Sequence, residues 1–357
     1  METPVIGGPR STDPLAGRRI EICDTTLRDG AHSMSHQFTV ENVEEITAGL
    51  DAAGIDVIEV THGDGLGGSS FNYGFGRCDD IDLLGAARKQ ITRAKLAALL
   101  LPGIGTIHQL RQAADAGIDV VRIATHCTEA DIAIQHLKAA KELGLETVGF
   151  LMLSHMTSPE GLGEQATIMA EAGADTVYVV DSAGALLPHQ VTERTAALRA
   201  ALGPGIRLGM HAHNNLGCGV ANALAAAEAG AAILDGSAHG LGAGAGNAAT
   251  EVLVAALDRA GAETGVDTLG LLDVAEDVVA RICAGKLPSL DRGSVLLGYA
   301  GIYSSFLLHT RRAAERYGVA EADIFLELGR RRVVGGQEDV IIDVAIELAA
   351  GRTVTQK

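Results

Sequence analysis

Eight short apolar runs, rich in Val, Ile and Leu, recur about every 25 to 40 residues, and this rhythm limits the possible folds more than any other feature. They cover residues 20–23, 57–61, 95–101, 120–124, 147–153, 176–180, 207–212 and 232–235. Most are continuous rather than alternating, as strands covered on both faces require. Between them lie Ala/Glu/Leu-rich stretches with helical spacing, at 40–53, 106–116, 129–143, 158–172 and 189–202. Gly54, Gly117, Gly144 and Gly173 stand where a helix C-cap belongs, each a few residues before the next run. The pattern is that of a (β/α)₈ TIM barrel, with a doubly wound open sheet as the runner-up. The polar residues favour the barrel. Asp24, Arg28 and Asp29 follow the first run, His62 and Asp64 the second, and His126 the fourth. Ser154 and His155 follow the fifth, Asp181 and Ser182 the sixth, His211 and His213 end the seventh, and residues 240–247 follow the eighth. A barrel gathers such residues at one rim, whereas an open sheet focuses them on one switch point.

At 357 residues the chain is long enough for one large domain and a smaller one. Aromatic residues make up only 3% and Trp is absent, so Ala, Val, Ile and Leu must fill the core. A formal charge of −17 argues against nucleic acid, whose binders carry a basic face. Cys23, Cys78, Cys127, Cys218 and Cys283 show no C-x-x-C spacing, which suits a reduced, cytoplasmic protein. No run has the length of a membrane span. Residues 1–19 lack an apolar stretch and are expected to form a disordered lead-in, followed by a catalytic barrel over 20–267. After 268 the rhythm changes. Helices are expected over 269–283, 305–317 and 338–348, with a connection over 288–298, so residues 268–357 form a small helical domain near the barrel mouth. Its position suits contact with a partner and a contribution to the site.

Two segments about 180 residues apart carry the chemistry: DTTLRDGAH at 24–32 and MHAH at 210–213. Asp29, His211 and His213 supply one carboxylate and two imidazoles, a set that suits a divalent metal. Residues two apart on a strand point to the same side, so both histidines can grip one ion. Arg28 and His32 flank it with a fixed cation and a titratable base. Each feature also has a structural reading. His32 could cap a helix, Asp24 reads as a hydrogen-bonding residue at a strand end, and His62, Asp64, His126 and His155 could simply line the pocket. Asn247 is a weaker candidate for the metal's surroundings. The glycine-rich 240–246 segment lacks dinucleotide and P-loop spacing and reads as tight backbone at a barrel corner. Arg330-Arg331-Arg332 reads as a solvated helix end or an interface. Lys95 begins a strand rather than ending it, which argues against a Schiff-base lysine.

The segments DTTLRDGAHS, HGDGLGGSSFNYGFG, RIATHCTEAD, ETVGFLMLSHM, VYVVDSAGA, GMHAHNNLG, GAGAGN, GYAGIYSSF and VGGQED resemble the 4-hydroxy-2-oxovalerate aldolase family from about residue 20 to 345. The R-D and H-x-H pair alone fits isopropylmalate synthase, homocitrate synthase or hydroxymethylglutaryl-CoA lyase equally well. HGDGLGGSSFNYGFG and GYAGIYSSF single out the aldolase. The resemblance implies a carbon–carbon lyase that cleaves 4-hydroxy-2-oxovalerate, or a longer 4-hydroxy-2-oxo acid. Its products would be pyruvate and an aldehyde such as acetaldehyde or propanal, in meta-cleavage catabolism of aromatic compounds or sterols. It implies a divalent ion, Mn²⁺ first with Co²⁺ or Mg²⁺ as substitutes, held by Asp29, His211 and His213 with the substrate against Asp29 and His211. Arg28 would bind the substrate and stabilise the developing oxyanion. His32 would take the C4 hydroxyl proton, and Ser182 would contact the substrate carboxylate. Tyr303, the second tyrosine of GYAGIY, would reach the substrate from the C-terminal domain and take part in catalysis. The implied partner is an acylating acetaldehyde or propanal dehydrogenase, in a hetero-oligomer that channels the aldehyde; NAD and coenzyme A would belong to that partner. Two other readings are an acyl-CoA-dependent Claisen-type synthase of the same barrels and a non-catalytic partner-binding scaffold.

Overall fold

The computed structural model describes residues 13–355. Eight parallel strands close a barrel: β1 (Glu21–Asp24), β2 (Val57–Glu59), β3 (Lys95–Leu100), β4 (Val120–His126), β5 (Glu146–Met152), β6 (Thr176–Asp181), β7 (Arg207–Ala212) and β8 (Ile233–Gly236). The closing seam pairs β1 with β8, from Glu21 opposite Ile233 to Asp24 opposite Gly236. An open sheet would leave both as edges, so the runner-up is excluded. The first large helix, Val40–Ala53, shows how local sequence sets the elements. Thr39 and Asn42 make a capping box at its start, and Gly54 ends it at φ 94°, a conformation that favours glycine.

Two apolar shells result. The larger lies between strands and helices and includes Ile22, Ile58, Leu96, Val121, Leu151 and Leu208. The smaller fills the barrel itself with Val57, Leu99, Val120, Val148, Phe150, Tyr178 and Ile233. Residues two apart share a face, so Glu59, Arg122 and Asp235 follow Val57, Val120 and Ile233 into the interior. All three are buried.

Three boundaries differ from expectation. Residues 1–12 of the expected lead-in lie outside the described residues, but 13–19 are not loose. Leu15 is buried in the core, and Gly17 N donates to Gly261 O at 2.8 Å. The helical run Thr268–Asp273, Val274–Val279 and Ala280–Ile282 belongs to the barrel rather than to the small domain. Leu271, Ala275, Val279 and Cys283 recur every fourth position and bury in the barrel's core, with the π-helical middle against Val40–Ala53. The end of the strand rhythm was therefore not the end of the domain. The small domain begins near 291, where Asp291 and Ser294 cap the helix Arg292–Ala300, within the stretch expected to be a connection. That helix joins Phe306–Tyr317, Glu321–Arg331 and Glu338–Thr355 around a core of Leu297, Phe306, Ile324, Phe325, Leu328 and Ile341. The helix Glu321–Arg331 was not foreseen; Arg330 and Arg331 pair with Glu327 in its last turn.

One loop ties the small domain across the barrel mouth. Ser304 donates through N and Oγ to the Ser182 carbonyl, at 3.2 and 2.7 Å, and accepts from Asn215 Nδ2 at 2.8 Å. His155 Nε2 lies 3.0 Å from Gly301 O. Its neighbour Tyr303 is thereby held over the strand ends.

Candidate active site

The turn after β1 places Arg28 and Asp29 at the C-terminal mouth, facing the end of β7. Asp29 Oδ2 lies 3.2 Å from His211 Nε2 and 3.5 Å from His213 Nε2, and the two Nε2 atoms are 3.4 Å apart. The proton positions can be read from the far side of each ring. His211 Nδ1 faces Asp235 Oδ2 at 2.8 Å, and His213 Nδ1 faces the Ala243 carbonyl at 3.3 Å. Both partners accept only, so each neutral ring carries its proton on Nδ1 and leaves Nε2 bare. Burial pushes His213 down to about 4, which keeps it neutral near pH 7, whereas at His211 burial is outweighed by Asp235 and Asp29, which raise the imidazole, so a cation there would displace a proton held between His211 and Asp29. Burial opposes ionisation of Asp29, but Arg28 and the two imidazoles hold its carboxyl well below the usual range. Three lone-pair donors thus converge in a dry site, an arrangement a cation would satisfy.

Arg28 is fixed on two sides. Its Nη1 donates to Asp29 Oδ2 at 2.8 Å and its Nε to Glu59 Oε2 at 2.7 Å. The buried Nη2 finds no hydrogen-bond partner among the described residues, so one donor of the fork is available to a ligand. Glu59 also accepts from Arg122 Nη1 at 2.9 Å, and Arg122 Nη2 donates to Asp235. The connections close into a ring: Arg28, Glu59, Arg122, Asp235, His211 and Asp29. The sequence reading did not single out Glu59, Arg122 or Asp235. Their signal was present, since each is a lone charge inside an otherwise apolar strand run.

His32 sits one helical turn beyond Asp29, in the short helix Gly30–Ser33, with its backbone N bonded to Asp29 O at 3.0 Å. Its ring lies flat against Gly63, where an added Cβ would come 2.6 Å from Nε2. His32 and Asp64 both line a cavity of about 510 Å³ between the barrel mouth and the small domain. Beside it a second cavity, about 280 Å³, is lined by Asp64, Tyr303, Leu101, Ile104, Met152 and Val334. Burial raises the Tyr303 phenol well above its ordinary range, so it stays protonated. Tyr299 is 75% exposed and stands outside both cavities.

The other candidates have defined places. Ser182 Oγ is buried and accepts from Leu153 N at 3.1 Å, which leaves its proton free to donate. Asp24 accepts from Thr26 N and Thr250 Oγ1 at 2.9 and 2.7 Å, the hydrogen-bonding role expected at a strand end. His62 is occupied by the Gly74 carbonyl and the Asp64 amide, at 3.1 Å each. His126 meets Thr128 Oγ1 at 2.7 Å and lines the second cavity. Asn247 pairs with His213 through a backbone bridge, and its buried Oδ1 has no partner among the described residues.

Residues 19–278 match the HMGL-like family, and residues 288–350 match a DmpG-like communication domain. The 4-hydroxy-2-oxovalerate aldolase of Roseiflexus sp. (strain RS-1) is 58% identical over 334 residues, 94% of this chain and 98% of that protein. This chain belongs to the 4-hydroxy-2-oxovalerate aldolase family. A second family member, from Geobacillus thermodenitrificans (strain NG80-2), is 58% identical over 339 residues, 95% of this chain and 98% of its own length. The members of this aldolase family are lyases. Among solved structures, the carboxyl transferase domain of Rhizobium etli pyruvate carboxylase with pyruvate superposes with a TM-score of 0.77 at 19% identity. That match covers 97% of this chain and 64% of the other, and it shows a shared fold. The gap between the two matches, 279–287, contains Cys283, the last residue of the barrel's core, and precedes the helix Arg292–Ala300 that opens the small domain.

Proposed function

We propose that this aldolase family member cleaves 4-hydroxy-2-oxovalerate to pyruvate and acetaldehyde at a divalent metal held by Asp29, His211 and His213. The observation that carries the reading is the convergence of one carboxylate and two imidazole Nε2 atoms beside the unpartnered Arg28 Nη2. A divalent ion bound there supplies Lewis-acid stabilisation of negative charge on the 2-oxo acid. Mn²⁺ fits the mixed carboxylate and imidazole set, with Co²⁺ or Mg²⁺ as weaker substitutes. The orphaned Asn247 Oδ1 beside His213 offers a further acceptor to the ion's surroundings.

The chain's own groups divide the work. Retro-aldol cleavage breaks the C3–C4 bond after the C4 hydroxyl loses its proton, and the electron pair moves toward the C2 oxygen. Arg28 Nη2 donates to that oxygen as charge builds, an electrostatic role worth about 3–4 kcal/mol in comparable sites. His32 accepts the C4 hydroxyl proton, as the imidazole one helical turn beyond Asp29 that lines the cavity. The Ser182 proton is placed to meet the substrate carboxylate. Tyr303, held neutral, donates a hydrogen bond from the side of the small domain. The apolar wall of Leu101, Ile104, Met152 and Val334 leaves room for the aldehyde's carbon chain, so longer 4-hydroxy-2-oxo acids fit the same frame.

We also infer a cytoplasmic enzyme in meta-cleavage catabolism, docked to an acylating aldehyde dehydrogenase through the small domain. The five cysteines form no disulfide, and no described helix is long and apolar enough to cross a membrane. Purified protein loaded with Mn²⁺ should release pyruvate from 4-hydroxy-2-oxovalerate with no coenzyme A present, and chelation should stop it. Turnover that requires acetyl-CoA and a 2-oxo acid would move the chain to the synthase class. Full activity in a preparation shown metal-free by elemental analysis would overturn the metal reading.

A further inference from the structure

The barrel interior holds a guanidinium that the proposed chemistry does not use. Arg122 is only 1% exposed, and it occupies β4 between Val120 and Ala124, where barrels place apolar side chains. Its plane lies over the rings of Phe150 and Tyr178, with centroids 4.5 and 4.8 Å away. Glu59, Arg122, Tyr178 and Asp235 come from β2, β4, β6 and β8, the alternate strands that build one layer of such a barrel. Burying a guanidinium costs more than filling the same space with a branched hydrocarbon, so stability alone is a poor reason to keep one here.

We propose that Arg122 is a positioning residue: it clamps Glu59 and Asp235, and through them sets the Arg28 guanidinium and the His211 ring in working orientation. The geometry of shared oxygens supports this. Glu59 Oε2 accepts from Arg122 Nη1 at 2.9 Å and from Arg28 Nε at 2.7 Å. Asp235 Oδ2 accepts from Arg122 Nη2 and faces His211 Nδ1 at 2.8 Å. Each carboxylate therefore spends one oxygen on both Arg122 and a site group. The second oxygens, Glu59 Oε1 and Asp235 Oδ1, have no partner assigned among the described residues, although the Tyr178 phenol also approaches Asp235. Moving Arg122 moves both shared oxygens together. A rigid fork can hold two carboxylates at a fixed angle, and an ammonium cannot. The clamp gives the metal ligand and the oxyanion donor one common anchor at the barrel axis.

The inference rests on the proposed metal-dependent cleavage, so the wild type is measured beside each variant. Metal-independent turnover by the wild type would defeat that reading and the metal arm of the clamp with it. Arg122→Lys and Arg122→Gln are prepared as full chains and checked for folding by circular dichroism. Mn²⁺ affinity is read from the electron paramagnetic resonance of free Mn²⁺, and kcat and KM are taken at saturating metal. In Arg122→Lys we expect Mn²⁺ affinity and kcat each to fall about 10–100-fold, the range seen when a ligand's supporting residue is lost. A merely structural role would lower the melting temperature and leave both constants alone. Wild-type values for either constant in the folded Arg122→Lys protein overturn the two-armed clamp. If neither Arg122 variant is recovered folded, Glu59→Gln and Asp235→Asn test one arm each. The first should lose kcat and the second Mn²⁺ affinity, and an unchanged value in either overturns the proposal.

Discussion

A glycine in the second strand–helix loop shows how narrowly a single residue bounds the site. Gly63 has its Cα against the His32 ring, and a methyl group there would stand 2.6 Å from Nε2. Alanine at 63 must push the imidazole away, since the three atoms nearest its methyl group all belong to the His32 ring. We therefore expect Gly63→Ala to lower kcat about 100-fold, the cost of misplacing a catalytic group by about 1 Å, with Mn²⁺ still bound. His32→Ala should lose at least as much. Metal content by elemental analysis and kcat at saturating metal check both; loss of metal from either variant would show that His32 serves the ion rather than the proton. Gly63 stands out weakly in the sequence, as one glycine among 45. Its role comes from a histidine 31 positions away, and the parallel pairing of β1 with β2 brings the two together.

Among the elements, the C-terminal helices carry the clearest consequence. They form their own core, yet Val295, Tyr299, Leu308, Leu326 and Ile346 remain between 43 and 75% exposed. Scattered apolar residues are ordinary on a surface; the docking proposed for this domain would cover several of these. Ser304 and Gly301 meanwhile fasten the same domain to Ser182 and His155 at the barrel mouth. A protein docked on these helices would sit within reach of the cavity that Tyr303 lines. Co-expressed with an acylating aldehyde dehydrogenase, the tagged aldolase should elute with it as one species in size exclusion at micromolar concentration. Tyr299→Asp should weaken that complex and leave pyruvate release by the aldolase alone unchanged. Separate elution of the two wild-type proteins would count against the partnership.

For the whole molecule, buried titratable groups set the acid limit of stability. Burial pushes His62 and His155 down to about 4 and His36 to about 2. These rings stay neutral when folded but gain protons in the unfolded chain near pH 6.5, so their contribution is present above that pH and fades as pH falls toward 4. Asp24 and Asp181 act in the opposite sense. Burial raises both to about 6, so the folded state takes up their protons first and gains stability on acidification from about 6 toward 4. His126, His136, His213 and His309 are shifted down as well, and Asp56, Asp64, Asp80 and Glu251 up; the unfolded imidazoles take up protons at a higher pH than the carboxyls, so the melting temperature of metal-free protein should fall between pH 7 and 5. A rise over that interval would refute the balance. The sequence alone determined the barrel, because its eight strands are encoded locally by apolar runs and several of its helices by caps and glycine stops. It also marked Asp29, His211 and His213 by type and spacing, and the fold brings the three together. It did not reveal that residues 269–283 return to the barrel, since a buried helical face looks the same whichever core receives it. Nor could it pair Arg122 with Glu59 and Asp235, 63 and 113 positions away. Three lone charges in apolar strands signal something unusual, but which of them meet depends on the barrel closing, and that is a property of the tertiary structure.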